Sequence, residues 1–414
     1  MHVRLRNPDR EIVVDGPLSV DDLLDHLDVL PHTVLVLHAG ELVTGDRVLP
    51  DDAEVEIRSV ISGGAGNAPT CADCRGPAVL EEPRHRAAWC ATHLPDHVQR
   101  QIRKAIDHPP SRPEGERMFS YADRLLVTVS GGKDSLALWD ALLDLGYRVD
   151  GLYVGLGIGG YSSRSQEVCE RFAAERDAFL HVLDLEEEFG FGTPSGAAAS
   201  GRSTCGVCGL SKRYAFNKVA VDHGYDVMLT GHNLDDEAAT LLGNVLRWQD
   251  QFLARQHPVL PARGANQVRK VKPLYRLSER ETAAYCVVRG IDYVVEECPL
   301  VDGNTGHELK ATLDALEATS PGLKAQFLFG FLDRHVERFD DAAGPDEAAL
   351  GSCRRCSMPT TGEVCAFCRQ RQLILQALPL AGTPAPTDPT DADERTDVTT
   401  RTATASPTTT ATAS

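Results

Sequence analysis

The stretch LLVTV-SGGKDS-LALWDALLDL constrains this chain more than any other. An apolar strand (Leu125–Val129) runs through Ser130 into two glycines and then into the helix LALWDALLDL. Glycine permits a tight turn that points successive N–H groups at one place, and the helix N-terminus behind it carries partial positive charge. Ser130, Gly131, Gly132, Lys133, Asp134 and Ser135 therefore form a cradle for an oxyanion. The surrounding pattern fits. Strands are expected at Leu125–Val129, Val149–Val154, Phe179–Leu183 and Val227–Thr230 with helical stretches between them, the signature of a parallel sheet covered by helices.

A second loop, Thr230-Gly231-His232-Asn233-Leu234-Asp235-Asp236-Glu237, follows another of these strands. Loops at the carboxyl ends of parallel strands are where such sheets hold ligands. Gly231 and His232 join the nucleotide-binding candidates. The clustered carboxylates beside a phosphate site suggest Mg²⁺ coordination or acid–base work, though acidic residues are also favoured at any helix start.

The chain contains 12 cysteines. Its N-terminus lacks an apolar leader and no run is long and apolar enough to span a bilayer, so a cytoplasmic location without membrane contact is expected. In that compartment, metal or redox chemistry outranks disulfides. Cys71, Cys74, Cys90 and His93 are spaced C-x2-C-x15-C-x2-H, and Cys353, Cys356, Cys365 and Cys368 are spaced C-x2-C-x8-C-x2-C. Each quartet can close a tetrahedral site, which implies two structural Zn²⁺. Cys205 and Cys208 form a third C-x2-C pair with Cys298 as the plausible third ligand. Three thiolates leave one position open, as in a catalytic metal, a [4Fe–4S] cluster with one unique iron, or a persulfide relay. Cys169 and Cys286 sit in helical stretches and read as packed thiols.

Residues 1–66 read as a separate small domain: a hairpin at Val3–Val14, a helix capped by Ser19, strands at Val34–Leu37 and Glu54–Ile61, then Ser62-Gly63-Gly64. This order resembles the ubiquitin-like (ThiS/MoaD-like) sulfur carriers, while the glycines alone would also serve as a linker. Residues 71–118 are expected to form a zinc knuckle and linker helix, 119–340 the catalytic domain and 350–372 a zinc ribbon. The tail 381–414 is poor in large apolar residues and is expected to be disordered. The formal net charge of -18 argues against a protein that coats nucleic acid unspecifically. Basic residues nevertheless gather in 84–112 and in 261–280 (Arg263, Arg269, Lys270, Lys272, Arg276, Arg280), where contacts to an RNA backbone are expected.

SGGKDS in its strand–helix context resembles the PP-loop ATP pyrophosphatases. The wider order of zinc knuckle, SGGKDS, C-x2-C-x3-K, GHNLDDE, Cys-Pro and terminal zinc ribbon, over residues 71–370, resembles the TtuA-type tRNA 2-thiouridine synthetases. The segments LLGNVLRW and VKPLYRLSERETAAY look closer to their bacterial, T-loop branch than to the wobble branch. The resemblance implies an α/β fold: a PP-loop (adenine nucleotide alpha hydrolase-like) parallel sheet flanked by two zinc-binding modules, preceded by a small β-grasp domain. It implies ATP at the glycine loop and a [4Fe–4S] cluster on Cys205, Cys208 and Cys298. Lys212 and Asp236 would be catalytic, and the reaction would be adenylation of a tRNA uridine O2 followed by displacement of AMP by cluster-bound sulfur. Expected partners are tRNA, a ubiquitin-like sulfur carrier in cis or in trans, and, for a homodimer, a second copy of the chain. A fused carrier departs from the family pattern, because Gly64 is internal: either cleavage releases it or the domain works in cis. A 2-thiocytidine-type enzyme and a non-catalytic sulfur-carrier scaffold are the competing readings.

Overall fold

Six strands form the central sheet of the computed structural model, in the order Leu180–Asp184, Val149–Gly155, Leu125–Val129, Val227–Thr230, Arg269–Val271 and Val259–Leu260. The first five pair in parallel, and the last is antiparallel. The structure describes residues 1–6, 10–27, 29, 31, 34–59, 70–110, 116–301, 305–336, 338–339 and 350–378. Ser62-Gly63-Gly64 and the tail 381–414 lie outside the described residues.

Burial explains the sequence pattern. All five residues of Leu125–Val129 are buried, so this strand needs apolar side chains on both faces, not alternation. From it the chain winds outward to Val149–Gly155 and Leu180–Asp184, then crosses to Val227–Thr230 on the other side. That reversal lies between Leu125–Val129 and its neighbours, and it sets the two expected loops next to each other at the carboxyl edge. The edge strand begins at Leu180, one residue later than expected; the Phe179 carbonyl still accepts from Gly151 N at 2.8 Å, but its side chain is 60% exposed.

The N-terminal residues form a second, five-stranded sheet: Arg10–Val13, His2–Arg6, Glu54–Ser59, Val34–His38 and Glu41–Val43, in that order. His2–Arg6 and Glu54–Ser59 pair in parallel and the other neighbours are antiparallel. Helix Val20–His26 covers one face, and Ser19 caps it as expected, its Oγ accepting from Asp22 N at 3.1 Å. This is β-grasp topology. The run VLVLH splits between two cores: Val34 and Val36 pack with Leu23 and Leu24, whereas Leu35, Leu37 and Leu42 join the core of the main domain. Each of those three leucines contributes roughly 2 kcal/mol by leaving water.

A hairpin (Leu80–Glu82, Ala87–Trp89) and helix Leu94–Asp107 carry the first cysteine module. A short hairpin (Gly351–Ser352, Pro359–Thr360) and helix Ala366–Ala377 carry the second. Among the described residues, no helix is long and apolar enough to cross a membrane.

Candidate active site

The glycine loop works by close approach. Gly131 has φ +77°, and a Cβ there would lie 2.9 Å from the Ser165 carbonyl oxygen, so both conformation and space require glycine. Gly132 caps helix Lys133–Asp144, and Ser135 Oγ donates to the Gly132 carbonyl at 3.0 Å. The acidic loop presses against it: a Cβ on Gly231 would sit 2.8 Å from Ser135 N. Asn233 caps helix Leu234–Leu246 in a reciprocal capping box with Asp236 and donates its side-chain amide to Asp134 Oδ1 at 3.1 Å.

Between them lies a cleft of 480 Å³. Its walls include Ser130, Gly132, Asp134, Ser135, Gly231, His232, Lys212 and Asp236, so most of the expected nucleotide and catalytic residues converge on one space. Gly131 and Lys133 do not line it. Gly131 supports the loop from behind, its carbonyl accepting from Val294 N at 2.8 Å. The Lys133 amine is 2.6 Å from Glu279 Oε1 and 3.2 Å from Asp134 Oδ2; burial opposes its charge, but these two carboxylates hold its pKa well above the usual lysine range.

The carboxylates of the second loop divide their duties. Asp235 is paired with buried Lys324, and Glu237 with Lys272 at 2.6 Å, so both are used internally. Asp236 reaches the cleft, with Lys310 2.6 Å from its Oδ1. His232 is bonded to Thr230 Oγ1 at 2.8 Å, and burial lowers its pKa, which favours the neutral imidazole.

Helix Thr204–Asp222 brings Cys205, Cys208 and Lys212 to the same region. Gly209, Lys212 and Arg213, which follow Cys208, line the cleft. Burial pushes the Cys208 thiol up, Lys212 pulls it down, and Cys298 and Cys205 push it up again, so both of these thiols lie within electrostatic reach of Cys208. Among the described residues, the groups able to bind an ion within 4.8 Å are the two quartets and His85–His97–Glu281, and the trio is not among them. Cys169 and Cys286 are fully buried, as expected of packed thiols.

Both quartets are assembled. Cys74 and Cys90 sulfurs are 3.8 Å apart, Cys90 Sγ is 3.2 Å from His93 Nδ1, and Cys356 and Cys365 sulfurs are 3.7 Å apart. Sulfurs on a tetrahedral Zn²⁺ with Zn–S near 2.3 Å stand about 3.8 Å apart, so the donor sets fit the ion. Burial raises the Cys71 and Cys353 thiols, but backbone N–H groups outweigh it and bring each down to about 6. The third group is an ion-pair hub. Glu281 accepts from Arg84 and from Ser278 N, with His97 Nε2 2.7 Å away; burial opposes, yet Arg84 and the histidines keep its carboxyl well below the usual range. It ties the first cysteine module to the domain that carries the glycine loop.

Sequence reasoning missed several residues of the cleft: Tyr161, Arg213, Phe216 and Lys270 also line it. Burial and then the neighbouring Lys272 lower the Lys270 ammonium to about 8. It is the middle residue of Arg269–Val271, a strand that pairs with Val227–Thr230 and is too short to be read from the sequence. The basic segment at 261–280 is half-buried rather than fully on the surface. None of its described basic residues is exposed; Lys272 serves Glu237, Arg280 donates to the Glu81 carbonyl at 2.6 Å, and Arg269 donates to the Met118 carbonyl at 2.9 Å. In 84–112, Arg84 is likewise internal, while Arg86, Arg100, Arg103 and Lys104 remain on the surface.

A parallel sheet with a glycine phosphate loop at its switch point defines a PP-loop nucleotide-binding protein, and the family model for the PP-loop domain matches residues 94–300. The chain is 48% identical over 299 residues to the tRNA-5-methyluridine(54) 2-sulfurtransferase of Thermus thermophilus, covering 72% of this chain and 90% of the relative. It is 38% identical to the enzyme of the same name from Pyrococcus horikoshii, with 72% and 92% covered. The chain belongs to this family of PP-loop tRNA 2-sulfurtransferases. Among solved structures, the U34-tRNA thiolase NcsA from Methanococcus maripaludis with its [4Fe–4S] cluster shares the fold: TM-score 0.59 at 21% identity, over 74% of this chain and 97% of that one.

Proposed function

We propose that this protein thiolates a T-loop uridine of tRNA at C2, consuming ATP and releasing AMP and pyrophosphate. The observation that carries the reading is the convergence of the phosphate loop, the acidic loop and the cysteine helix on one cleft. Family relatives are named for position 54.

The residues suggest the roles. Ser130, Gly132 and Ser135 hold the β- and γ-phosphates through N–H and hydroxyl donors. The uridine O2 attacks the α-phosphorus, the bond from that phosphorus to the bridging oxygen breaks, and pyrophosphate leaves. Lys212, beside the cleft, stabilises the charge that builds on the α-phosphoryl oxygens. Asp134 and Asp236, the carboxylates lining the cleft, offer oxygens to Mg²⁺. In the second half, a C2–S bond forms as the C2–O bond breaks and AMP departs.

Cys205, Cys208 and Cys298 would hold the iron–sulfur cluster. Their fit favours a group larger than one ion, because Cys208 feels both Cys205 and Cys298 while the three do not all lie within the 4.8 Å that the two quartets satisfy. A [4Fe–4S] cluster there would supply an iron with a free position for sulfur next to the cleft. Sulfur comes from a separate ubiquitin-like carrier with a free C-terminus, since Gly64 is internal and has no carboxylate to activate.

The test is AMP formation by the purified protein with and without bulk tRNA, coupled to nucleoside mass spectrometry. AMP release dependent on tRNA and a 2-thiolated uridine at position 54 are expected. Tight ATP binding with no AMP in the presence of tRNA and sulfide would favour the scaffold reading, and thiolated cytidine would favour the 2-thiocytidine class.

A further inference from the structure

The N-terminal domain stands on the element that holds the phosphate loop. Strands Val34–His38 and Glu41–Val43 pack against helix Glu279–Arg289, with Leu35, Leu37 and Leu42 entering the same core as Ala283 and Ala284. That helix grips the loop residue by residue. Glu279 binds Lys133, Thr282 Oγ1 donates to Asp134 Oδ1, and Cys286 Sγ donates to the Lys133 carbonyl at 3.4 Å. The segment following the helix completes the hold, because Val294 N donates to the Gly131 carbonyl at 2.8 Å and Val294 Cγ2 lies 3.3 Å from where a Gly131 Cβ would stand.

A polar contact joins the first domain to this following segment. Arg58, in the last strand of the N-terminal sheet, donates from Nη1 to Tyr293 Oη at 3.3 Å, and its guanidinium lies 5.7 Å from the centre of the Tyr293 ring. Glu56 orients Arg58 through a 3.1 Å bond to its Nε and is itself held by Arg6 at 2.9 Å. Tyr293 is buried and adjoins Val294 in the chain. A continuous line of contacts therefore runs from the N-terminal sheet through Arg58, Tyr293 and Val294 to the residue of the phosphate loop that carries its positive φ.

We propose that the N-terminal domain is a resident clamp on the nucleotide site, in which Arg58 acts as a positioning residue that holds the phosphate loop in its binding form through Tyr293 and Val294. The domain is then neither a spacer nor a module to be released: its leucine face is spent in cis, and removing it would expose that face and loosen the loop. Because the clamp acts on ATP, the inference stands apart from the thiolation reading.

The test uses full-length chain carrying Arg58→Ala, Tyr293→Phe, both together, or Arg58→Lys. ATP affinity is measured by calorimetry without tRNA, and the KM for ATP and kcat are measured with it. Arg58→Ala and Tyr293→Phe should each weaken ATP binding by about five- to tenfold, and the double variant should be no worse than the weaker single one. Arg58→Lys should recover part of the loss, and kcat at saturating ATP should stay within twofold of the unmodified chain. Tyr293→Phe removes one oxygen and keeps the ring, so it tests the line even where Arg58→Ala does not fold. Unchanged ATP affinity in Tyr293→Phe and Arg58→Ala, additive losses, or a fall in kcat at constant KM would each overturn the clamp. If ATP binding responds as stated but tRNA is never thiolated, the clamp survives and the proposed reaction fails.

Discussion

The two cysteine quartets and the cysteine trio share the C-x2-C spacing and differ in everything around it. Each quartet draws its ligands from one short stretch of chain, folds them to within 4.8 Å, and places them on hairpins away from the cleft. The trio joins the first turn of helix Thr204–Asp222 to Cys298, ninety residues further on, and stops short of closing. Its Cys208 lies within electrostatic reach of Lys212 and Arg213, which line the cleft, although none of the three cysteines lines it. Local chain geometry can build a closed structural ion site. In the trio, ligands drawn from separate elements would leave one side free for substrate.

The largest effect follows from the trio. Cys298→Ser should lower thiolation by more than about a hundredfold, the scale of removing a ligand essential to the chemistry, while the protein still holds two zinc ions and binds ATP. Nucleoside mass spectrometry and elemental analysis of one preparation check this. A drop in zinc to one or a rise in apparent zinc demand at the trio would break the distinction between the two kinds of site.

Cys365→Ser should have the opposite profile: loss of one zinc and of local stability first, activity second. Structural zinc sites contribute folding energy directly, so a melting temperature lower by about 5–10 °C is expected. Activity should fall by only about tenfold, because the ribbon acts by bracing the cysteine helix: Tyr214 on that helix stacks on Phe367 with centroids 3.8 Å apart. Retained activity together with a lost zinc would show that the ribbon and the helix are independent.

This comparison also separates what the sequence discloses from what it conceals. Glycines between an apolar strand and a helix, and cysteines at fixed short spacing, are local signals, and the glycine loop and the two quartets were legible from them. The capping of helix Val20–His26 by Ser19 was legible for the same reason. Partners distant in the chain were not. Lys310 on Asp236, Lys324 on Asp235 and Lys272 on Glu237 turn an acidic loop that reads as one cluster into a single cleft carboxylate and two internal ion pairs. The half-burial of the basic run at 261–280 was not legible either, because counting charges does not reveal which way they face. The docking of the first domain had one clue, the unbroken VLVLH, whose apolar side chains on both faces ask for two cores.

A smaller difference between the two kinds of site is electrical, and Lys270 measures it. The cleft beside the trio is lined by Lys212, Arg213 and Lys270, a concentration of cations suited to phosphate. The charged groups that influence Lys270 are Lys272 and Arg213, which disfavour its charge, and Glu237, which supports it; with burial, the balance brings the ammonium to about 8. The charged form is the one that attracts phosphate, so its contribution is present below about pH 8 and fades as pH rises through that value. The KM for ATP should therefore rise about three- to tenfold between pH 7 and 9, and Lys270→Met should show the high-pH value throughout. Zinc content should not change over the same range, since the quartets lie outside this field. A flat KM profile in the unmodified chain would remove Lys270 from the phosphate site, leaving Lys212 and Arg213 as the cleft's cations.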